Sequence, residues 1–343
     1  MNPQIPREAY LAYARSFTDK ENQLINEFSE WLPDEIIDCH AHCNLPEHVG
    51  SIDERTYHHM LSTFPSFSLE ESRAWHTLLH PGKRIRTLRF PKTFRGIDHR
   101  AANSYLLKES PKQDRVAIYG LPDDPSYTIS MFVHSNVSAL KMYYSYLEPP
   151  ATEIYQYFPK AVLAAAEASK IPIILHLPTR ITGCLNQVLK LVEDFPRLRI
   201  CVAHLGLTKN IIPGLEDAFR AIAKHDNVNL DTALVPSTEV VGLVLRIFGA
   251  DRIMYGSDEP LNLIRSVPYL HPQRGQRLIT EYPYHWVDPI EHEEFKSLAI
   301  GATHAHWQAL QAIKIAVTKL PSETRQAVKQ KLFHDSAKSF YGF

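Results

Sequence analysis

Short apolar runs rich in β-branched residues recur along the chain, each followed by a polar loop and then by apolar positions at helical spacing. The runs are EIIDC (35–39), RIRTLRF (84–90), RVAIY (115–119), SALKMY (138–143), PIIL (172–175), LRICVA (198–203), VNL (228–230) and RIMY (252–255). Helical periodicity fills 153–169, 182–195, 211–225 and 237–248. Strands that are apolar throughout, rather than alternating, belong to a parallel sheet covered on both faces. Eight of them alternating with helices predict a TIM-like (β/α)8 barrel. Residues 1–34 predict an N-terminal helical extension, and 45–110 form a long excursion that contains the second run. Beyond the core at 35–258, the segment 259–343 reads as an aromatic-rich loop followed by helices at 292–319 and 322–340. The whole is expected to be one domain.

Composition narrows the function classes. A chain of 343 residues with 44% hydrophobic and 22% charged content is an ordinary globular protein, and barrels use that length as one unit. Lys+Arg 37 against Asp+Glu 38 leaves a net charge of −1, so no overall field favours nucleic acid or an anionic membrane. The apolar runs fall far short of the ~20 residues of a membrane span, and MNPQIPREAYLAYARSF does not read as a signal peptide. Four scattered cysteines make no disulfide framework, which points to a reducing cytoplasm. The expected partner is a small-molecule substrate, with self-association left open.

Chemistry gathers at the strand ends. The first run continues as Asp38-Cys39-His40-Ala41-His42. On a strand, i and i+2 share a face, so His40 and His42 aim two imidazoles at one point, as a metal ion requires. By the same alternation Cys39 is expected on the outer face. The fourth run carries Lys141, the fifth and sixth end at His176 and His204, and the eighth is followed by Asp258 in YGSDEP. Barrel active sites lie at the C-terminal ends of strands, so these groups are expected to share one rim.

This constellation resembles the amidohydrolase superfamily, in its branch of metal-dependent hydrolases and decarboxylases. The resemblance covers about residues 35–260 and rests on the H-x-H of His40/His42, on His176, His204, the ALKMYY segment and YGSDEP. It implies a divalent metal on His40, His42, His176 and Asp258. His204 would bind a second metal or polarise the substrate, and Lys141 would join the ligands only as a carbamate bridging two ions. Imidazole suits Zn and Fe, and a carboxylate also admits Mn; zinc is the expected ion. Zinc lowers the pKa of a bound water from about 15.7 to about 7, and Asp258 could accept that water's proton while His204 supports the oxyanion. The reading is therefore a hydrolase acting on an amide, lactone or ester of a small organic substrate. The alternatives are a non-oxidative decarboxylase or hydratase of an aromatic or dicarboxylic acid, and a non-catalytic metal-binding barrel.

Substrate contacts are expected from Arg180, just past His176, and from Tyr143 beside Lys141. Aromatics at Tyr144, Tyr146, Tyr282, Tyr284, His285 and Trp286 suit either a pocket wall or a capped barrel edge. The basic stretch Lys83, Arg84, Arg86, Arg89, Lys92 and Arg95 reads as a solvated face. THAHW places His304 and His306 in a helical stretch, where i, i+2 do not share a face. HTLLH (His76, His80) lacks the glutamate of zinc peptidases. Cys39 and Cys43 read as packed thiols.

Overall fold

The computed structural model describes residues 16–50, 66–280 and 288–343. Tyr282, Tyr284, His285 and Trp286 lie outside the described residues. Eight parallel strands follow one another in sheet order: β1 (Glu35–His42), β2 (Arg84–Phe90), β3 (Arg115–Tyr119), β4 (Val137–Met142), β5 (Ile173–Leu175), β6 (Ile200–Val202), β7 (Val228–Asp231) and β8 (Ile253–Met254). The eight predicted runs are these strands. The first is longer than its apolar run and carries both histidines within it.

The ring closes through the chain that follows β8. Cys39 N donates to Tyr255 O at 3.0 Å, Asp258 N to His40 O at 2.8 Å and His42 N to Glu259 O at 2.7 Å. Residues Asp258 and Glu259 are thus bolted to β1 by backbone bonds.

Two apolar layers result. The larger lies between the strands and the surrounding helices and includes Leu140, Ile173, Val202, Leu230 and Ile253. The smaller fills the barrel with Ile37, Cys39, Leu88, Phe90, Ala117, Ala139, Ile174, Cys201 and Met254, and the C-terminal Phe340 and Tyr341 close its base. Strand β7 contributes nothing to that inner cluster; Val228 and Leu230 pack outward, and buried Asn229 and Asp231 alternate with them.

Cys39 corrects the alternation argument. It packs with the interior cluster in step with Ile37, and the β1–β2 register shift between Asp38 and Ala41 brings His40 to the same side. The bulge turns Cys39 and His40 both inward, as one extra residue does when it interrupts the period of two. Cys39 remains a packed thiol, as does Cys43.

The helical reading needs three corrections. The expected 153–169 helix breaks into Ile154–Tyr157 and Lys160–Ala168, since proline at 159 has no amide proton. The 211–225 helix is confined to Leu215–Ile222, starting after Gly214 in the left-handed region. The 292–319 helix is two, Pro289–Phe295 and Ala305–Thr318. Between them His304 ends a short strand, β11 (Thr303–His304), which joins β9 (Arg265–His271) and β10 (Gly275–Thr280) in an antiparallel sheet of order β10-β9-β11. No helix among the described residues is long and apolar enough to cross a membrane.

The helix Asp19–Trp31 is capped by Thr18 and Glu21 in a reciprocal box. Glu21 is fully buried and also accepts from Arg265 Nη2 at 2.6 Å and from the His304 amide at 3.0 Å. It therefore ties the N-terminal helix to β9 and β11. Burial pushes its carboxyl up, but His304 and Arg265 outweigh that and bring it to about 2, from an ordinary value of 4.5. A carboxyl lowered on folding stabilises the fold above its unfolded pKa and loses that contribution as pH falls through the folded value. Glu21→Gln should cost about 3 kcal/mol at neutral pH, since it breaks the buried ion pair with Arg265. The gap between wild type and variant should shrink as pH falls below 4.5 toward about 2. Urea unfolding across that range checks it, and a gap independent of pH would contradict the assignment.

Candidate active site

Four imidazoles meet at the barrel rim, and each has one nitrogen committed. His40 Nδ1 lies 2.9 Å from Asp231 Oδ2, His42 Nδ1 3.2 Å from Pro91 O, His176 Nδ1 2.9 Å from Leu177 O and His204 Nδ1 2.8 Å from Ala233 O. Carbonyl oxygens only accept, so the ring nitrogens donate and the protons sit on Nδ1. Burial lowers His40 to about 4 and lowers His42, and it holds His176 well below its ordinary range. These rings are neutral, with their lone pairs on Nε2.

Those lone pairs converge on a carboxylate. His40 Nε2 and His42 Nε2 stand 3.4 and 3.2 Å from Asp258 Oδ1, and His40, His204 and Asp258 each place a ligand atom within 4.8 Å of the others. His40 Nε2 and Asp258 Oδ1 are buried with no hydrogen-bond partner among the described residues. Acceptors facing acceptors repel unless a cation lies between them. Nitrogen and carboxylate donors in that geometry fit a divalent ion such as Zn, Fe or Mn. His176 joins from the side, its ring 5.0 Å from that of His204.

Asp258 is 4% exposed and His204 half-buried. Burial pushes the Asp258 carboxyl up, and positive charge arriving on the His42, His204 and His40 side of the site is what holds it below the usual carboxylate range. Both residues sit in the left-handed region, at φ 60 for Asp258 and φ 56 for His204. For non-glycine residues that costs about 1–3 kcal/mol each and is typical of functional sites. The strain is held by backbone bonds: His204 N to Asp231 Oδ1 at 2.8 Å, and Leu261 N to Asp258 O at 2.8 Å.

Glu259 turns away from this centre. Its Oε2 accepts from Ser72 Oγ at 2.6 Å and lies 3.4 Å from His76 Nε2 and 3.9 Å from Arg89 Nη1. It braces the loop against the outer helices, which gives His76 of HTLLH its partner. His80 packs on His306 at 4.8 Å between ring centres, and Asn262 contacts His306 at 3.1 Å.

Lys141 is 1% exposed, and its Nζ has no hydrogen-bond partner among the described residues. It rests 5.2 Å from the Phe90 ring. Burial lowers the amine to about 8, opposed by the charges of Asp231 and Asp258. A cavity of about 390 Å³ opens over the site, lined by His176, Arg180, His204, Lys209, Asn210 and Asp258 among others. Tyr143 stands 4.7 Å from the His176 ring and lines a second, neighbouring cavity. Of the basic segment, Arg89 is buried in an outer pair with Asp114 at 3.1 Å.

Asp231 went unnoticed in the sequence, and Lys92 is a correction, since the basic stretch that contains it reads as a solvated face. Asp231 ends β7 immediately after the run VNL, a carboxylate at a strand terminus on the rim. It orients His40 through one oxygen, while the other accepts from the His204 and Ala233 amides at 2.8 and 3.1 Å. Lys92, two residues beyond β2, is buried, and burial lowers it to about 7 against the opposing charge of Asp258.

Residues 133–343 match the family model described as Amidohydrolase. The chain belongs to the amidohydrolase family. No curated protein matches it. Among solved structures, this amidohydrolase is similar to one from Burkholderia multivorans with bound zinc, at 11% identity and a TM-score of 0.58, covering 90% of this chain and 99% of that one. It is similar also to a probable 2-pyrone-4,6-dicarboxylic acid hydrolase from Acinetobacter baumannii, at 11% identity and 0.55, covering 90% and 99%. A third is a 2,6-dihydroxybenzoate decarboxylase complexed with 2,6-dihydroxybenzoate, at 13% and 0.55, covering 91% and 100%. At such identities the likeness shows the fold, and the names span two reaction types.

Asp231→Asn preserves shape but removes the charge that fixes His40. Loss of such a supporting carboxylate should weaken metal affinity about 10–100-fold with the circular dichroism spectrum unchanged. Competition titration against a chromophoric zinc chelator checks it; unaltered affinity would remove Asp231 from its role.

Proposed function

We propose that this amidohydrolase is a metal-dependent hydrolase that cleaves an amide, lactone or ester bond in a small organic substrate. The observation that carries the reading is the convergence of His40 Nε2, His42 Nε2 and Asp258 Oδ1 at 3.2–3.4 Å with the Nδ1 protons turned away. His40, His42, His176 and Asp258 would hold the ion, with His204 beside them. A bound divalent ion supplies Lewis acidity and lowers the pKa of water held in the site.

The chain's residues do the rest. Asp258, ionised across the neutral range, accepts the proton of the attacking water. His204, half-buried at the cavity wall, would support the oxyanion with a proton on Nε2 in addition to the one that Nδ1 gives to Ala233 O. Arg180 lines the same cavity and Tyr143 packs on His176, so both are positioned to orient the substrate. Lys141 acts as an amine whose positive charge balances Asp231 and Asp258. A second ion would need a second anionic bridge. Asp231 is not free to provide it, with its oxygens engaged by His40, His204 and Ala233.

A second reading, non-oxidative decarboxylation of an aromatic acid, is favoured by one feature: Tyr143 and Tyr144 pack around His176 at 4.7 and 5.5 Å with Arg180 on the same cavity. Product analysis separates the two. Hydrolysis releases a new acid without carbon dioxide, and decarboxylation releases carbon dioxide.

Asp258→Asn keeps the size of the side chain but lowers its basicity, so turnover should fall by about 10²–10⁴-fold with metal at least partly retained. Glu259→Gln, on the outer side of the loop, should change turnover far less. Steady-state kinetics with parallel metal analysis checks both, and near-normal turnover in Asp258→Asn would shift the base to His204.

A further inference from the structure

We infer that the substrate is amphipathic, with its reactive bond at the His/Asp centre and a bulky alkyl or aryl group seated in a second chamber beneath the β9–β10 hairpin. The inference rests on the hydrolytic reading for the identity of the reactive end and on the chamber itself for the rest.

The chamber has a volume of about 640 Å³, within the range of small-molecule sites. Its walls are chiefly apolar: Leu234 and Pro236 from the loop after β7, Leu261 and Ile264 after the Asp258 segment, and Leu278 and Ile279 from β10. It meets the cavity above Asp258 along Lys209, Asn210 and Leu234, which line both. A ligand reaching through that neck would touch the catalytic centre and the chamber at once. Leu234 itself lies at φ 52, a strained backbone at the junction of the two spaces. Such strain persists where the surroundings impose it, and it concentrates at ligand-binding positions.

The roof is built to keep its shape. Glu291 accepts from Arg277 Nε and Nη2 at 2.9 and 3.0 Å and from Arg274 Nη1 at 2.7 Å, and it also takes the Tyr269 hydroxyl. This knot fastens the helix Pro289–Phe295 to both strands of the hairpin. On the other side Gln308 Nε2 donates to Ser266 O at 2.6 Å, fastening β9 to the helix Ala305–Thr318. A held, mostly apolar space beside a polar reaction centre selects for apolar bulk at one end of the substrate, and barrels set their specificity through such rim additions.

The test uses the whole protein and a neutral apolar dye, N-phenyl-1-naphthylamine, displaced by n-hexanol. The wild type should bind the dye at one saturable site. Leu261→Trp and Leu278→Trp, both partly accessible positions on the chamber wall, should each weaken binding at least tenfold at an unchanged melting midpoint. Leu270→Trp should leave it intact, because Leu270 is 78% exposed and outside the wall. With zinc-loaded protein, the preference for p-nitrophenyl hexanoate over the acetate should fall at least tenfold in the two wall variants. Absence of saturable dye binding, equal binding in all four proteins, or an unchanged ester preference would overturn the chamber while leaving hydrolysis standing. Conversely, dye binding with the expected variant pattern in a protein that hydrolyses nothing would support the chamber and defeat the hydrolytic reading alone.

Discussion

One buried hydrogen bond, from His40 Nδ1 to Asp231 at 2.9 Å, sets the chemistry of the rim. It fixes the tautomer, turns the lone pair of Nε2 inward and anchors the ring against rotation. Asp231 does this while its second oxygen holds the backbone at His204 and Ala233. A single carboxylate thereby coordinates residues from β1, the end of β6 and the loop after β7. The other three imidazoles repeat the logic with carbonyl acceptors, so every Nδ1 proton at the site is bound outward. An array of lone pairs pointing at a carboxylate is electrostatically unfavourable by itself, and a divalent cation is the natural complement.

Barrel closure supplies the carboxylate. The last strand is only two residues long, and the ring is completed by the following segment, whose bonds to β1 place Asp258 opposite His40 and His42. The left-handed conformations of Asp258 and His204 belong to the same arrangement. Consecutive side chains then diverge, with Asp258 facing the imidazoles and Glu259 facing Ser72, His76 and Arg89. Stability and chemistry are thus assigned to neighbouring residues on opposite sides of one loop.

Most of the rim was legible because it follows from period and position. Continuous apolar runs locate the strands, and their C-terminal ends locate His40, His42, Lys141, His176, His204 and Asp258. What was not legible depends on tertiary context. Cys39 and its neighbour His40 both face inward because of a bulge that no local residue announces. Asp231 escaped because it directly follows an apolar run and has no motif around it. Lys92 was hidden in a basic stretch whose other members are surface or outer-layer groups. The β9–β10 hairpin contains a proline at 268 and exposed leucines at 270 and 278, so its pattern resembles a loop more than a strand pair.

On the proposed reading, His40 Nε2, His42 Nε2 and Asp258 Oδ1 hold one divalent ion. The most direct measurement is elemental analysis of protein purified without chelator and then equilibrated with zinc, comparing wild type with His40→Ala. One ion per chain is expected in the wild type and almost none in a variant that keeps its secondary structure. Full occupancy in His40→Ala, or no stoichiometric ion in the wild type, would contradict it.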